Sequence, residues 1–101
     1  MRRVARVVRL STGMQPQVTV YGADWCAYTR HAISYLDELA VPYTYIDVDN
    51  DPAASQWVKD HNDGLELKPT IDIAGSVLSA PTAGELDAAL ERAGLTPARA
   101  A

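Results

Sequence analysis

The chain has 101 residues, of which 48% are apolar and 22% charged, with one cysteine and a formal net charge of −4. That length supports one domain with a core of its own, and a single cysteine excludes both an internal disulfide and a zinc cluster of several cysteines. Four of the nine basic residues (Arg2, Arg3, Arg6, Arg9) fall in the first ten positions, so from Ser11 onward five basic residues face all 13 acidic ones; such a body carries no phosphate-binding stripe, which excludes nucleic acid as the expected partner.

The start of the chain is cut into short apolar pieces by Arg6 and Arg9, so it lacks the continuous run of a secretory leader. Although it is Arg-rich and acid-free, as organelle transit peptides are, the preferred reading of residues 1–15 is a flexible basic extension, with Met14 as an alternative first residue. No stretch reaches the ~20 apolar residues of a membrane span, and a cytoplasmic location is expected.

From Gln17 the pattern becomes regular. Val18 to Tyr21 is β-rich and stopped by Gly22, which predicts a strand. Ala32, Ile33, Leu36, Leu39 and Ala40 recur at three-to-four-residue spacing up to Pro42, which predicts a helix from about Ala27 to Leu39. Tyr43 to Val48 reads as a second strand, and Asp51-Pro52 as the cap and first turn of a helix carrying Ala54, Trp57, Val58 and His61 on one face. Two short strands around Ala74-Gly75-Ser76 form a hairpin, and Thr82-Ala83-Gly84-Glu85 fits the capping box of a last helix ended by Gly94 and Pro97. The order β-α-β-α-β-β-α predicts an α/β fold: a four-stranded mixed sheet of order 2-1-3-4 with helices on both faces.

Cys26 falls between a strand end and the first turn of a helix, where free backbone N–H groups and the positive end of the helix dipole favour a thiolate. A cysteine elsewhere in a chain is more often a buried, inert residue, but this junction reverses that preference.

The stretch Tyr21-Gly22-Ala23-Asp24-Trp25-Cys26-Ala27-Tyr28-Thr29-Arg30 resembles the active-site segment of glutaredoxins, and Lys68-Pro69-Thr70 resembles that family's Val-Pro-Thr, whose proline is cis and faces the cysteine. The acidic end of the second strand (Tyr45 to Asp49) and Thr82 at the last helix also match; the Trp-Cys-x-Tyr wording is closest to the mycoredoxin-like branch. The resemblance covers about Gln17 to Gly94 and implies a thioredoxin-like domain over 16–96, followed by a tail at 97–101. It implies a thiol-disulfide oxidoreductase in which Cys26 attacks the mixed disulfide between a protein and a low-molecular-weight thiol, glutathione or mycothiol-like. No tightly bound cofactor or metal is expected, and the partners are that thiol and thiolated client proteins, met by a monomer.

The resemblance gives Thr29 and Pro69 supporting roles beside Cys26. It makes Trp25, Tyr28, Arg30, Lys68 and Thr82 the candidates for binding the thiol substrate. Thr29 stands where dithiol members carry a resolving cysteine, so a monothiol route is expected, with the Thr29 hydroxyl available to the thiolate. Ala23 stands where many members carry a lysine, and Asp24 next to it should raise the thiol pKa unless Lys68 or Arg30 offsets it. His31 and His61 read as structural or surface residues. Two alternatives stand beside this reading: an iron-sulfur carrier formed by two chains bridged through Cys26 and small thiols, and a catalytically silent redoxin used for binding.

Overall fold

The computed structural model describes residues 16–97 and, as backbone, the strand Ala5–Val8. The elements follow in the order β1 (Ala5–Val8), β2 (Val18–Gly22), α1 (Ala27–Glu38), β3 (Tyr43–Asp47), a single 3-10 turn (Val48–Asn50), α2 (Pro52–Asp60), β4 (Thr70–Ile73), β5 (Ser76–Ser79) and α3 (Ala83–Arg92). The sheet order is β1-β3-β2-β4-β5. Its last four strands are the mixed sheet expected from the sequence: β2 runs parallel to β3, while β4 is antiparallel to β2 and β5 to β4.

The strand β1 departs from that expectation. The segment 1–15 reads as a flexible extension, yet Ala5–Val8 pair antiparallel with β3 in the register Ala5 to Ile46 through Val8 to Tyr43. The reason lies in the residues that ruled out a leader: arginines between valines break a long apolar run, but β-branched residues interspersed with charge suit the edge of a sheet. The rest of that segment, and residues 98–101 of the expected tail, lie outside the described residues.

Period-two alternation divides the core between the two sheet faces. Val18, Val20, Tyr43, Tyr45, Ile71 and Ile73 turn one way and are buried against Leu36 of α1 and Leu86, Ala89 and Leu90 of α3. On the other face Val48 packs with Ala54 and Val58 of α2, with Tyr21, Ile46 and Trp57 at its margin. A fully buried leucine such as Leu36 contributes about 1.5–3 kcal/mol by leaving water. These contacts clamp α1 and α2 on opposite faces and set the N-terminal end of α1 at the carboxyl end of β2, beside the chain entering β4.

Local signals act where the sequence places them. Asp51 caps α2, its carboxylate accepting from the Ala54 amide at 3.1 Å, with Pro52 in the first turn. Thr82 and Glu85 form the full capping box of α3. Helix α1 ends in a Schellman pair, Ala40 N–H to Asp37 O and Val41 N–H to Leu36 O, each at 3.0 Å; α3 ends the same way through Gly94 and Leu95. Gly94 supplies the positive φ of that motif at 74°, whereas Ala40 must adopt it with a side chain, at 56°.

Candidate active site

Cys26 is the N-cap of α1, with extended backbone (φ −83°, ψ 119°), and is 7% exposed. The loop feeding it is closed by its own amide, which donates to Ala23 O at 3.0 Å, while its carbonyl accepts the Arg30 amide and starts the helix. The first-turn amides therefore converge on the sulfur. Burial is the largest influence on the thiol and raises its pKa. It is outweighed by the nearby Thr29 hydroxyl and the Thr29 and Tyr28 amides, whose dipoles favour negative charge on the sulfur, with further help from the Lys68 ammonium. The net shift is downward, toward the thiolate.

Thr29 is fully buried, and its Oγ1 also accepts from the Ala23 amide at 3.4 Å. Gly22 makes room for it: a Cβ at that position would lie 2.5 Å from both Thr29 Cγ2 and Oγ1. The glycine that ends β2 thus fixes the hydroxyl that faces the sulfur.

Asp24, the expected source of repulsion, is engaged elsewhere; its carboxylate accepts from the Tyr45 hydroxyl at 2.6 Å, and it is not among the influences on the thiol. Arg30 turns back on the loop and donates to the Asp24 main-chain oxygen at 3.0 Å. Trp25 and Tyr28, one residue before and two after Cys26, are 67% and 71% exposed. Trp25 is held on one side, its indole N–H donating to Asp49 Oδ2 at 2.7 Å. Asp47 shapes the turn that delivers Asp49, accepting from the Asp49 amide and the Asn50 side chain. The acidic end of β3 therefore serves to orient an active-site aromatic.

The Lys68–Pro69 peptide is cis and Pro69 is fully buried. The Pro69 carbonyl accepts from the Ala80 amide at 2.7 Å, which ties this loop to the start of α3. Lys68 Nζ lies 5.3 Å from the centre of the Trp25 ring and 2.8 Å from Glu66 Oε1. Thr82 spends its hydroxyl on the Glu85 amide, and its own amide on the Glu85 carboxylate, so it shapes the end of α3.

A groove of about 480 Å³ opens between α1 and α3, lined by Tyr28, His31, Ala32 and Tyr35 on one wall and by Pro69, Ala80, Pro81, Ala83 and Leu86 on the other. Tyr28 is common to the groove and to the surroundings of Cys26, where its amide favours the thiolate. Sequence reasoning missed His31, Tyr35 and Pro81 here, although Tyr28, His31 and Tyr35 stand at the i, i+3, i+7 spacing of one helical face. It also missed Glu66 and Ser55, whose contacts link a loop to a helix and leave no periodic trace. No group of three or more metal-ligating side chains occurs among the described residues, and no helix there is long and apolar enough to cross a membrane.

A thiol with a lowered pKa at a helix N-terminus and a cis Lys68–Pro69 peptide at the entry to β4, on a four-strand mixed core, define a thioredoxin-fold thiol oxidoreductase. The glutaredoxin family model matches residues 18–78, and the chain belongs to the glutaredoxin family. It is 41% identical over 75 residues to Mycoredoxin 1 of Corynebacterium glutamicum, covering 73% of this chain and 92% of that protein. Among solved structures it is similar to the thioredoxin-like protein BC3987, with a TM-score of 0.68 and 25% identity over 76% of this chain and 97% of that one. Oxidized glutaredoxin 2 from Chlamydomonas reinhardtii gives a TM-score of 0.61 and 27% identity, over 78% and 83% of the two chains. The protein is thus a glutaredoxin-like thiol-disulfide oxidoreductase that works with a low-molecular-weight thiol.

Proposed function

We propose that Cys26 carries a monothiol cycle in which the low-molecular-weight thiol has no carboxylate, a mycothiol-like compound in preference to glutathione. In the first step the Cys26 thiolate bonds to the small-thiol sulfur of a mixed disulfide; the old S–S bond breaks and the client leaves as a thiolate that takes up a proton. In the second step a second small-thiol thiolate attacks the adduct at the small-thiol sulfur, and Cys26 departs as thiolate while a symmetrical small-thiol disulfide is released. Electrons balance within the exchange. The Thr29 hydroxyl and the first-turn amides lower the barrier to both steps by holding negative charge on Cys26 as nucleophile and as leaving group.

The observation that carries the reading is a thiolate-favouring Cys26 in a chain with no second cysteine. The choice of thiol is supported by the groove, whose lining includes no lysine, arginine, aspartate or glutamate. Trp25, Tyr28 and Pro69 wall the adduct in this reading, Arg30 steadies the loop, and Thr82 sets the groove's far end through the α3 cap. The protein acts as a monomer in the cytoplasm on thiolated client proteins.

Mass spectrometry of the oxidised protein challenged with glutathione and with mycothiol, alongside the pH profile of Cys26 alkylation, tests this. We expect a thiol midpoint below that of free cysteine and a preponderant mycothiol adduct. A midpoint near 8.5 with no small-thiol adduct overturns the cycle.

A further inference from the structure

Three positions, 23, 30 and 68, are those from which a cation could meet a substrate carboxylate in a site of this kind, and two of them carry one. Ala23 is fully buried and carries no charge. Arg30 is committed to the Asp24 main-chain oxygen. Lys68 remains, and its charge favours the Cys26 thiolate, yet its ammonium is already paired with Glu66 at 2.8 Å. Glu66 is in turn anchored from behind: Ser55, in the first turns of α2, donates its hydroxyl to Glu66 Oε2. The Lys68 and Ser55 hydrogen bonds pull the Glu66 carboxyl below its ordinary range, so it is charged at neutral pH. Both members of the pair are largely covered, with side chains 14% and 26% exposed, so solvent screens them less than a free surface pair.

We propose that Glu66 is a specificity-determining residue that excludes carboxylate-bearing thiols by occupying Lys68. This rests on the monothiol reading above. An incoming carboxylate must displace Glu66 from Lys68 or sit beside a second anion, and either raises the barrier to its approach; an uncharged thiol meets neither obstacle. The pair still leaves Lys68 close enough to Cys26 to favour its thiolate, so selection and activation use the same cation without conflict. Ser55 couples the arrangement to α2, because a carboxylate fixed at both oxygens cannot swing out of the way.

The test compares two symmetrical disulfides reacting with the reduced full chain: glutathione disulfide, which is anionic, and bis(2-hydroxyethyl) disulfide, which is uncharged. In each reaction the Cys26 thiolate forms one S–S bond as the probe's own bond breaks, so the adduct mass reports the step. The ratio of the two rates cancels changes in the nucleophilicity of Cys26 itself. Glu66→Gln keeps the shape and removes the charge; the ratio should move toward glutathione disulfide by about fivefold, and the gain should shrink in high salt. Ser55→Ala should move it the same way by less, and Glu66→Gln with Lys68→Met should lose the gain. Adducts with both probes but an unchanged ratio in Glu66→Gln overturn the selector role alone. If neither probe modifies Cys26 in the unaltered protein, the thiol-exchange reading falls, and the selector role with it.

Discussion

Thr29 occupies the place of a second thiol and does different work with it. A hydroxyl cannot close a disulfide, but held between Gly22 and the Ala23 amide it favours negative charge on the sulfur without having to be reorganised. Thr29→Val keeps the volume and removes the donor; alkylation of Cys26 at pH 7 should fall roughly three- to tenfold while circular dichroism stays unchanged. Because the native thiol pKa is depressed, Cys26 adds stability in its thiolate form. Compared with Cys26→Ser, the reduced protein should gain relative stability as pH rises from the lowered native value toward the ordinary cysteine range, and lose that advantage below it. Chemical denaturation of both proteins across pH 5 to about pH 9 reads the difference.

The helices and strands carry the clearest sequence signals, and they agree with one another. Asp51-Pro52 and Thr82 to Glu85 act at the chain positions where their spacing is found, because capping is decided within four residues. Two termini built on one plan differ in one residue: α3 turns at Gly94 and α1 at Ala40. Ala40→Gly should therefore stabilise the fold by about 0.5–1 kcal/mol, measured by urea unfolding, since it relieves a left-handed alanine. Gly22→Ala should act in the opposite sense, costing about 1–3 kcal/mol and displacing Thr29, because its new carbon has no free space. What sequence did not disclose at this scale is β1, whose arginine-valine pattern fits an extension as well as an edge strand until β3 is there to receive it.

For the molecule as a whole, the contacts that were illegible are those that join distant elements. Trp25 meets Asp49 across 24 positions, and Ser55 meets Glu66 across 11, neither with a periodicity to betray it. Cys26 and Pro69 were legible only as a pair of motifs, and bringing the ends of β2 and β4 side by side requires the whole sheet. The groove is lined by no lysine, arginine, aspartate or glutamate, and the proposed monothiol cycle needs no second copy. Anaerobic treatment with iron and sulfide should accordingly leave the protein colourless and monomeric by size-exclusion chromatography; a coloured dimer would favour the bridged carrier.

The two tryptophans give the molecule a built-in optical contrast. Trp57 is stacked on Tyr21, with ring centres 4.3 Å apart and planes 17° apart, and His61 lies over it at 3.9 Å, all on the face of the sheet away from the groove. Trp25 stands in solvent beside the sulfur, pinned by one hydrogen bond and one ammonium. Any group loaded onto Cys26 must crowd the second indole and leave the first untouched. With Trp57 replaced by Phe, the emission of a single remaining tryptophan would follow the loading and discharge of the thiol in real time, without a label.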